Sequence, residues 1–221
     1  MAQNFRRYAL GRVGTTAQAI TASDSYDTII SIRLANVTSN MVLASAFMTS
    51  DGSTGENIGS DFAYAVTASG GNFLLDGETK PAITIYKGFT YTFDVSDNSN
   101  STHVLRFATA ADAAGSTQYS TGVVASGTPG TSGATVTLVT TSSTPSTLYY
   151  YCTAHTGMGN SITVSDVHYL VKDAPIPAGS SLELIDGGAK IIQAANDHLF
   201  IQSDTASSVD AWVSVVDDIS T

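Results

Sequence analysis

The feature that most constrains the fold of this chain is an alternation of apolar and polar residues with a period of two. It is clearest where Phe89, Tyr91, Phe93 and Val95 are separated by Thr90, Thr92 and Asp94. Successive side chains of a β-strand point to opposite faces of its sheet, so this spacing predicts strands with one buried face. With charged residues at only 13% and ten Tyr and eight Phe, the composition favours an all-β protein over a helical one.

Strands at the two ends of the chain predict one domain that the middle interrupts. Runs over 28–34 and 41–48 are expected to pair as a hairpin across a polar turn, and two prolines predict a turn over 173–179. Neither end has enough strands for a stable sandwich, but together they have about seven. We therefore predict a framework β-sandwich, jelly-roll-like or immunoglobulin-like, made of residues 1–56 and 167–221.

The middle of the chain, residues 57–166, predicts a second β-sandwich inserted into the first. It has its own strand series, in which His103, Leu105 and Phe107 alternate on one inward-facing strand, and a long Gly/Ser/Thr loop over 115–133. About seven or eight strands in such a length is typical of one sandwich. Insertion of a whole domain at an exposed loop is tolerated because it disturbs few contacts.

The only cysteine stands close to two other side chains that bind soft metals. Cys152, His155 and Met158 follow one another at three-residue intervals. A thiolate and two imidazoles, with a distant thioether, form the donor set of a mononuclear copper site. The second imidazole must come from another segment, and His103 is the candidate because it falls on the inward-facing strand predicted above.

Taken singly, each of these residues has a more ordinary interpretation. A lone cysteine or methionine is commonly a packed core residue, and a lone histidine is commonly hydrogen-bonded within a strand. Cys152 and His155 as nucleophile and base are a further alternative, less favoured than metal ligation or packing on a loop with a methionine. The sequence has no Gly-rich phosphate loop, no His-Glu-x-x-His motif and no nucleophile elbow, so we expect that the protein is not an enzyme.

Two segments of the middle region resemble the cupredoxins, the blue-copper family. Residues 148–164 (L-Y-Y-Y-C-T-A-H-T-G-M-G-N-S-I-T-V) are similar to the C-terminal ligand loop of that family, and residues 81–95, with a Lys-Gly turn, are similar to the approach to its first histidine. The resemblance implies a Greek-key β-sandwich with copper as its cofactor. The ligands it implies are His103, Cys152, His155 and Met158. The chain departs from the family at Val104, where cupredoxins usually carry an asparagine that ties the two ligand segments together.

The charge balance excludes one class of partner. The formal net charge is −10 and the pI is about 4.5, whereas nucleic-acid binding needs a basic surface. No basic segment followed by an apolar one opens the chain, and no apolar run approaches the roughly 18 residues that span a membrane. We therefore expect a chain that is made in a cytoplasm without an export signal and is not inserted into a membrane.

The regions flanking the middle are similar to virion structural proteins of tailed bacteriophages, especially those of marine and cyanobacterial hosts. The resemblance rests on residues 169–184 (Y-L-V-K-D-A-P-I-P-A-G-S-S-L-E-L), 191–212 and 31–38. It implies a structural or decoration protein of the virion head, neck or tail, with an outward cupredoxin-like domain for stabilisation or host adhesion. A phage protein is made in the host cytoplasm and works in the virion, which agrees with the lack of an export signal.

Two functions are therefore expected. The first is the virion structural protein, with three kinds of partner: other virion proteins, further copies of itself in symmetric rings, and a component of the host surface. The alternative is a copper-binding electron-transfer module of blue-copper type. A third option is glycan binding by the Tyr- and Thr-rich faces.

Overall fold

The structure is a computed structural model that describes residues 4–22, 26–49, 62–113, 117–185, 188–194 and 197–217. Strands make up 58% of it and helices 3%, which confirms the predicted all-β class. The chain divides into a framework unit, Met1–Gly59 with Val167–Thr221, and an inserted unit, Ser60–Asp166. The predicted boundaries are 56/57 and 166/167, so the first differs by three residues and the second is the same. In the ranges that the structure describes, no helix has the length and apolar character to cross a membrane.

Short strands account for most of the described chain. The first four are β1 (Asn4–Val13), β2 (Gln18–Ala22), β3 (Asp27–Asn36) and β4 (Val42–Thr49). The inserted unit contains β5 (Phe62–Ser69), β6 (Asn72–Leu75), β7 (Glu78–Thr79), β8 (Ile83–Tyr86), β9 (Thr90–Asp94), β10 (Leu105–Ala108), β11 (Gln118–Tyr119), β12 (Val123–Ser126), β13 (Thr135–Val139), β14 (Thr147–Cys152) and β15 (Ser161–Ser165). The framework unit ends with β16 (His168–Ile176), β17 (Ser181–Glu183), β18 (Ile191–Gln193), β19 (His198–Ser203) and β20 (Val209–Asp217). A single turn of 3-10 helix lies at Asn98–Asn100. Residues Ala111–Ala113 form a tight turn whose backbone angles at Asp112 are not helical.

The framework unit has two sheets whose inner faces share one core. One sheet has the strand order β1-β20-β3-β17, with β18 also paired to β3, and the other has the order β16-β4-β19-β2. The first sheet buries Ala211, Val213 and Val215 on one face of β20, and the second sheet adds Ala44 and Leu199. Each fully buried Val or Leu side chain stabilises a fold by about 1.5–3 kcal/mol. Strands from both ends of the chain therefore stabilise each other through this core.

β3 and β4 do not form the predicted hairpin, because they belong to opposite sheets of the framework unit. The side-chain amide of Asn36 donates to the carbonyl oxygens of Asn40 and Ile176 at 2.7 and 2.9 Å. The N–H of Val37 donates to the carbonyl oxygen of Ser208 at 3.0 Å. These bonds direct the chain across the sandwich instead of back along β3. A polar turn between two alternating runs is compatible with both paths, so the pattern alone does not separate them.

The predicted turn over 173–179 is also partly wrong, because β16 continues through Pro175 to Ile176. Pro175 is paired with Leu43 of β4. Since β16 lies at the edge of its sheet, a residue without an N–H is tolerated there. The register between β16 and β4 shifts twice, so the strand is bulged and not regular.

The inserted unit also consists of two sheets, with the orders β11-β10-β14-β15-β8 and β12-β13-β9-β5-β6-β7. Two neighbouring pairs are parallel, β15 with β8 and β5 with β9, and such pairs require crossover connections. Aromatic rings fill the space between the sheets. The ring of Phe93 lies 5.1 Å from that of Phe107 in the other sheet and 5.0 Å from that of Tyr64. The hydroxyl of Tyr91 accepts the N–H of Tyr86 at 2.8 Å, which ties the two sheets together.

The predicted loop over 115–133 is wrong in its described part, because it contains β11 and β12. β11 pairs with β10, and β12 pairs with β13, each at the edge of a sheet. Most side chains of β12 are exposed. An exposed edge strand has no apolar face to mark it in the sequence, which is why the alternation does not reveal it.

Candidate metal centre

Strand pairing brings His103 next to Cys152. Cys152 is the last residue of β14 and is paired with Leu105, the first residue of β10. His103 precedes Leu105 by two positions, and the pairing continues beyond the strands because the N–H of Thr153 donates to the carbonyl oxygen of Val104 at 3.0 Å. The backbone therefore joins the two ligand segments at Val104, where the cupredoxin resemblance lacks its usual asparagine.

His103 itself lies in the turn before β10 and not on the predicted inward-facing strand. Its N–H donates to the carbonyl oxygen of Asn100 at 2.8 Å. Asn100 is fully buried, and its side-chain amide donates to the carbonyl oxygen of Val66 in β5 at 2.7 Å. The ring of Phe73 meets the imidazole edge-on at 6.3 Å. The turn that carries His103 is thus fixed to the interior of the inserted unit.

His155 and Met158 come from the ligand loop, residues 153–159, which follows β14. Gly157 has a φ of +76°, a conformation that favours glycine and reverses the direction of the chain. Met158 is 1% exposed, and its carbonyl oxygen accepts the N–H of Phe73 at 2.9 Å. The loop therefore folds back with His155 exposed and Met158 buried.

Three donor atoms converge at this point of the inserted unit. The Nδ1 atoms of His103 and His155 are 3.1 Å apart, and the Sγ atom of Cys152 lies 3.8 and 3.6 Å from them, respectively. A point in the plane of the three atoms is about 2 Å from each. Metal–imidazole and metal–thiolate bonds have lengths of about 2.0–2.3 Å. The three side chains are therefore spaced as ligands of a single ion.

The structure brings together three of the four predicted ligands: His103, Cys152 and His155 have donor atoms within 4.8 Å of one another. Met158 is buried in the same loop as His155, and its role as a fourth donor stays a prediction. The remaining histidines, His168 and His198, lie in the framework unit.

The protonation of His103 is biased toward the form that binds metals. Burial, and secondly the nearby charge of His155, lower the pKa of His103 below its ordinary value of 6.5. A neutral imidazole has a free lone pair, which is what a metal requires. The local electrostatics therefore agree with the geometry of the three donor atoms.

One residue of the site has no signal in the sequence. The N–H of Gly157 donates to both carboxylate oxygens of Asp112, at 3.0 Å to each. Asp112 lies 45 positions earlier in the chain, in the tight turn Ala111–Ala113. A single carboxylate in an Ala- and Gly-rich segment is by default a solvated turn residue, so only the structure connects it with the ligand loop.

A scan of protein-family models, a search of curated proteins and a search of solved structures each found no match to this chain. The fold and the site themselves define an all-β protein with a cluster of two imidazoles and one thiol.

Proposed function

We propose that the inserted unit binds one copper ion through the Nδ1 atoms of His103 and His155 and the Sγ atom of Cys152. The observation that carries this proposal is the mutual spacing of these atoms, 3.1, 3.6 and 3.8 Å. Met158, buried in the same loop, is proposed as a weak fourth donor. The resemblance of this unit to the cupredoxins supports the same assignment.

The donor set favours copper over zinc. Structural zinc sites usually have four strong ligands from thiolates and imidazoles, and the described residues here contribute three such ligands, which disfavours a structural zinc site. A trigonal set of two imidazoles and one thiolate with a weak thioether is typical of blue-copper sites. Bound copper supplies one-electron exchange between Cu(I) and Cu(II), so the alternative function, electron transfer, is part of the proposal.

The residues of the chain provide different parts of this function. Cys152 is 4% exposed, so its thiolate would be protected from water and oxidants. His155 is exposed, so a redox partner could approach the site on its side. The buried side chain of Asn100 anchors the turn that carries His103, which would limit the rearrangement of this ligand when the charge of a bound copper changed.

Titration of the metal-free protein with Cu(II) tests the proposal. We expect one equivalent to produce an intense visible band, because a thiolate transfers charge to the bound copper. Cys152→Ser should abolish the band, whereas the control His168→Gln, a change of an exposed histidine in the framework unit, should leave it intact. The proposal fails if the wild-type protein gives no such band or if Cys152→Ser keeps it.

The outer face of the framework unit favours a second function, attachment to a virion. Trp212 and Phe5 are 43% and 66% exposed, and the guanidinium of Arg7 lies 4.9 Å from the centre of the Trp212 ring. Tryptophan and arginine are the residues most enriched in the energetic centres of protein interfaces. We propose that this face contacts another virion protein, as the phage resemblance of the flanking regions implies.

Purified particles provide the test of the attachment proposal. The wild-type chain should be found in intact virions by mass spectrometry, and folded Trp212→Ser protein should be depleted from them. Absence of the wild-type chain from particles would contradict a structural or decoration role. The proposal that the inserted unit binds copper does not depend on that result.

A further inference from the structure

The ligand loop is fastened near its middle by a side chain from a distant segment. Both carboxylate oxygens of Asp112 accept the N–H of Gly157 at 3.0 Å. Gly157 stands between His155 and Met158, so this contact fixes the part of the loop that separates two of the predicted ligands. Because the acceptor is charged, this hydrogen bond is stronger than one between two neutral groups.

The two ends of the loop are held in another way, by backbone hydrogen bonds at Thr153 and Met158. Among the described residues, no backbone–backbone hydrogen bond joins residues 154–157 to another segment. His155 lies in this stretch and is exposed, so packing does little to fix it. Asp112 therefore supplies the missing attachment where the loop has none from its backbone.

The backbone of Asp112 is held in an unfavourable conformation. Its φ and ψ are 50° and 28°, and the following Ala113 has a φ of 52°. Residues with a Cβ rarely adopt the left-handed region, and two in succession persist only where surrounding contacts hold them. The bond to Gly157 is such a contact, and the tight turn is what directs the carboxylate at the loop.

We propose that Asp112 is a positioning residue for the metal centre. It holds the ligand loop in the metal-free protein so that His155 Nδ1 stays close to Cys152 Sγ and His103 Nδ1 before an ion binds. Less of the binding free energy is then spent on ordering the loop, so the affinity for the ion is higher. The metal in this proposal is the copper of the proposed function, whereas the order of the loop is a property of the protein alone.

Two substitutions separate the hydrogen bond from the backbone conformation. Asp112→Gly removes the carboxylate and tolerates a left-handed φ, and Asp112→Asn keeps one oxygen acceptor and also tolerates it. We expect the amide of Gly157 in the metal-free Asp112→Gly protein to exchange with solvent about tenfold faster than in the wild type. Affinity for Cu(I), measured by competition with a chromophoric chelator, should fall about 10- to 100-fold. Asp112→Asn should bring both the exchange rate at Gly157 and the Cu(I) affinity most of the way back to the wild-type values.

A matched control is available in the same unit. Asp76 is also an exposed aspartate with a φ of 51°, and its carboxylate accepts the N–H of Ala65 at 2.7 Å, outside the ligand loop. Asp76→Gly should change neither the exchange at Gly157 nor the Cu(I) affinity. The proposal is overturned if Asp112→Gly leaves the exchange at Gly157 unchanged, or if Asp76→Gly lowers the affinity as much. Failure of the wild-type protein to bind copper would instead contradict the proposed function, and the exchange data would still decide the role of Asp112.

Discussion

The Nδ1 atoms of His103 and His155 lie 3.1 Å apart, although the two residues are 52 positions apart in the sequence. Two imidazolium rings at this distance would repel each other, and burial of His103 adds to the cost of its charge. The pair is compatible with a hydrogen bond between neutral rings, in which either nitrogen can be the donor, or with a shared metal ion. The arrangement therefore disfavours the state in which both imidazoles are protonated and favours neutral imidazoles, which can bind a metal ion.

This pair predicts a specific response of His103 to a change in its neighbour. His155→Gln should raise the pKa of His103 toward 6.5 without reaching it, because burial is the larger cause of the shift and remains. NMR titration of the histidine ring protons in the metal-free protein measures the value. His168→Gln, in the framework unit, should not move it. A pKa of His103 that does not change in His155→Gln would contradict the electrostatic coupling of the two rings.

The same shift predicts how the metal-free protein responds to acid. Since the pKa of His103 is lower in the folded than in the unfolded state, the unfolded state binds more protons in the window between the two values. The contribution of His103 to stability is therefore complete above the unfolded-state pKa of 6.5 and is lost as the pH falls through the folded-state pKa. The free energy of unfolding, measured with denaturant between pH 7.5 and about 5, should fall accordingly. In His103→Gln, the part of this pH dependence that comes from His103 should be absent.

The all-β class could be predicted from the sequence because alternation along a strand reports directly on burial. β9 and β20 illustrate this, since their buried residues, such as Tyr91 and Val213, are those that alternate. The pairing of strands is set by contacts between distant segments, which no local pattern contains. The bond of Asn36 to the carbonyl oxygen of Ile176, 140 positions away, is one such contact, and nothing within 28–48 indicates it.

The candidate site also has some features that the sequence predicts and others that it does not. The three-residue spacing of Cys152, His155 and Met158 is local and visible in the sequence, and His103 could be proposed because a thiolate and one imidazole need a second imidazole. His103 lies in a turn and not on a strand, and its N–H is bonded to the carbonyl oxygen of the buried Asn100. The alternation of apolar and polar residues does not reveal that Asn100 is buried. Asp112 could not be predicted, because its contact is to a backbone N–H that any residue would provide.

The close approach of the ligand loop to β14 predicts a strong effect at Gly159. A Cβ at this position would overlap the carbonyl oxygen of Tyr150, and β14 cannot easily yield because Tyr150 also donates its N–H to Asn160 at 3.1 Å. Gly159→Ala should destabilise the inserted unit by about 1–3 kcal/mol or more and weaken copper binding. Thermal unfolding and copper titration measure the two effects. Gly11→Ala is the control, since a Cβ there would meet only Asp210, in ordinary contact. Equal effects of the two substitutions would contradict the steric argument.

Met158→Leu tests whether the thioether is the fourth donor. The change conserves volume at a site that is 1% exposed, so the fold should lose less than about 1.5 kcal/mol. Loss of a weak donor and a less polar surrounding both disfavour Cu(II) relative to Cu(I), so the reduction potential of the bound copper should rise. A tenfold change in relative affinity corresponds to about 59 mV for a one-electron couple, which cyclic voltammetry resolves. Met48→Leu, in the framework core, should leave the potential unchanged. If Met158→Leu also leaves it unchanged, the thioether is not a donor to the copper and Met158 is a packing residue.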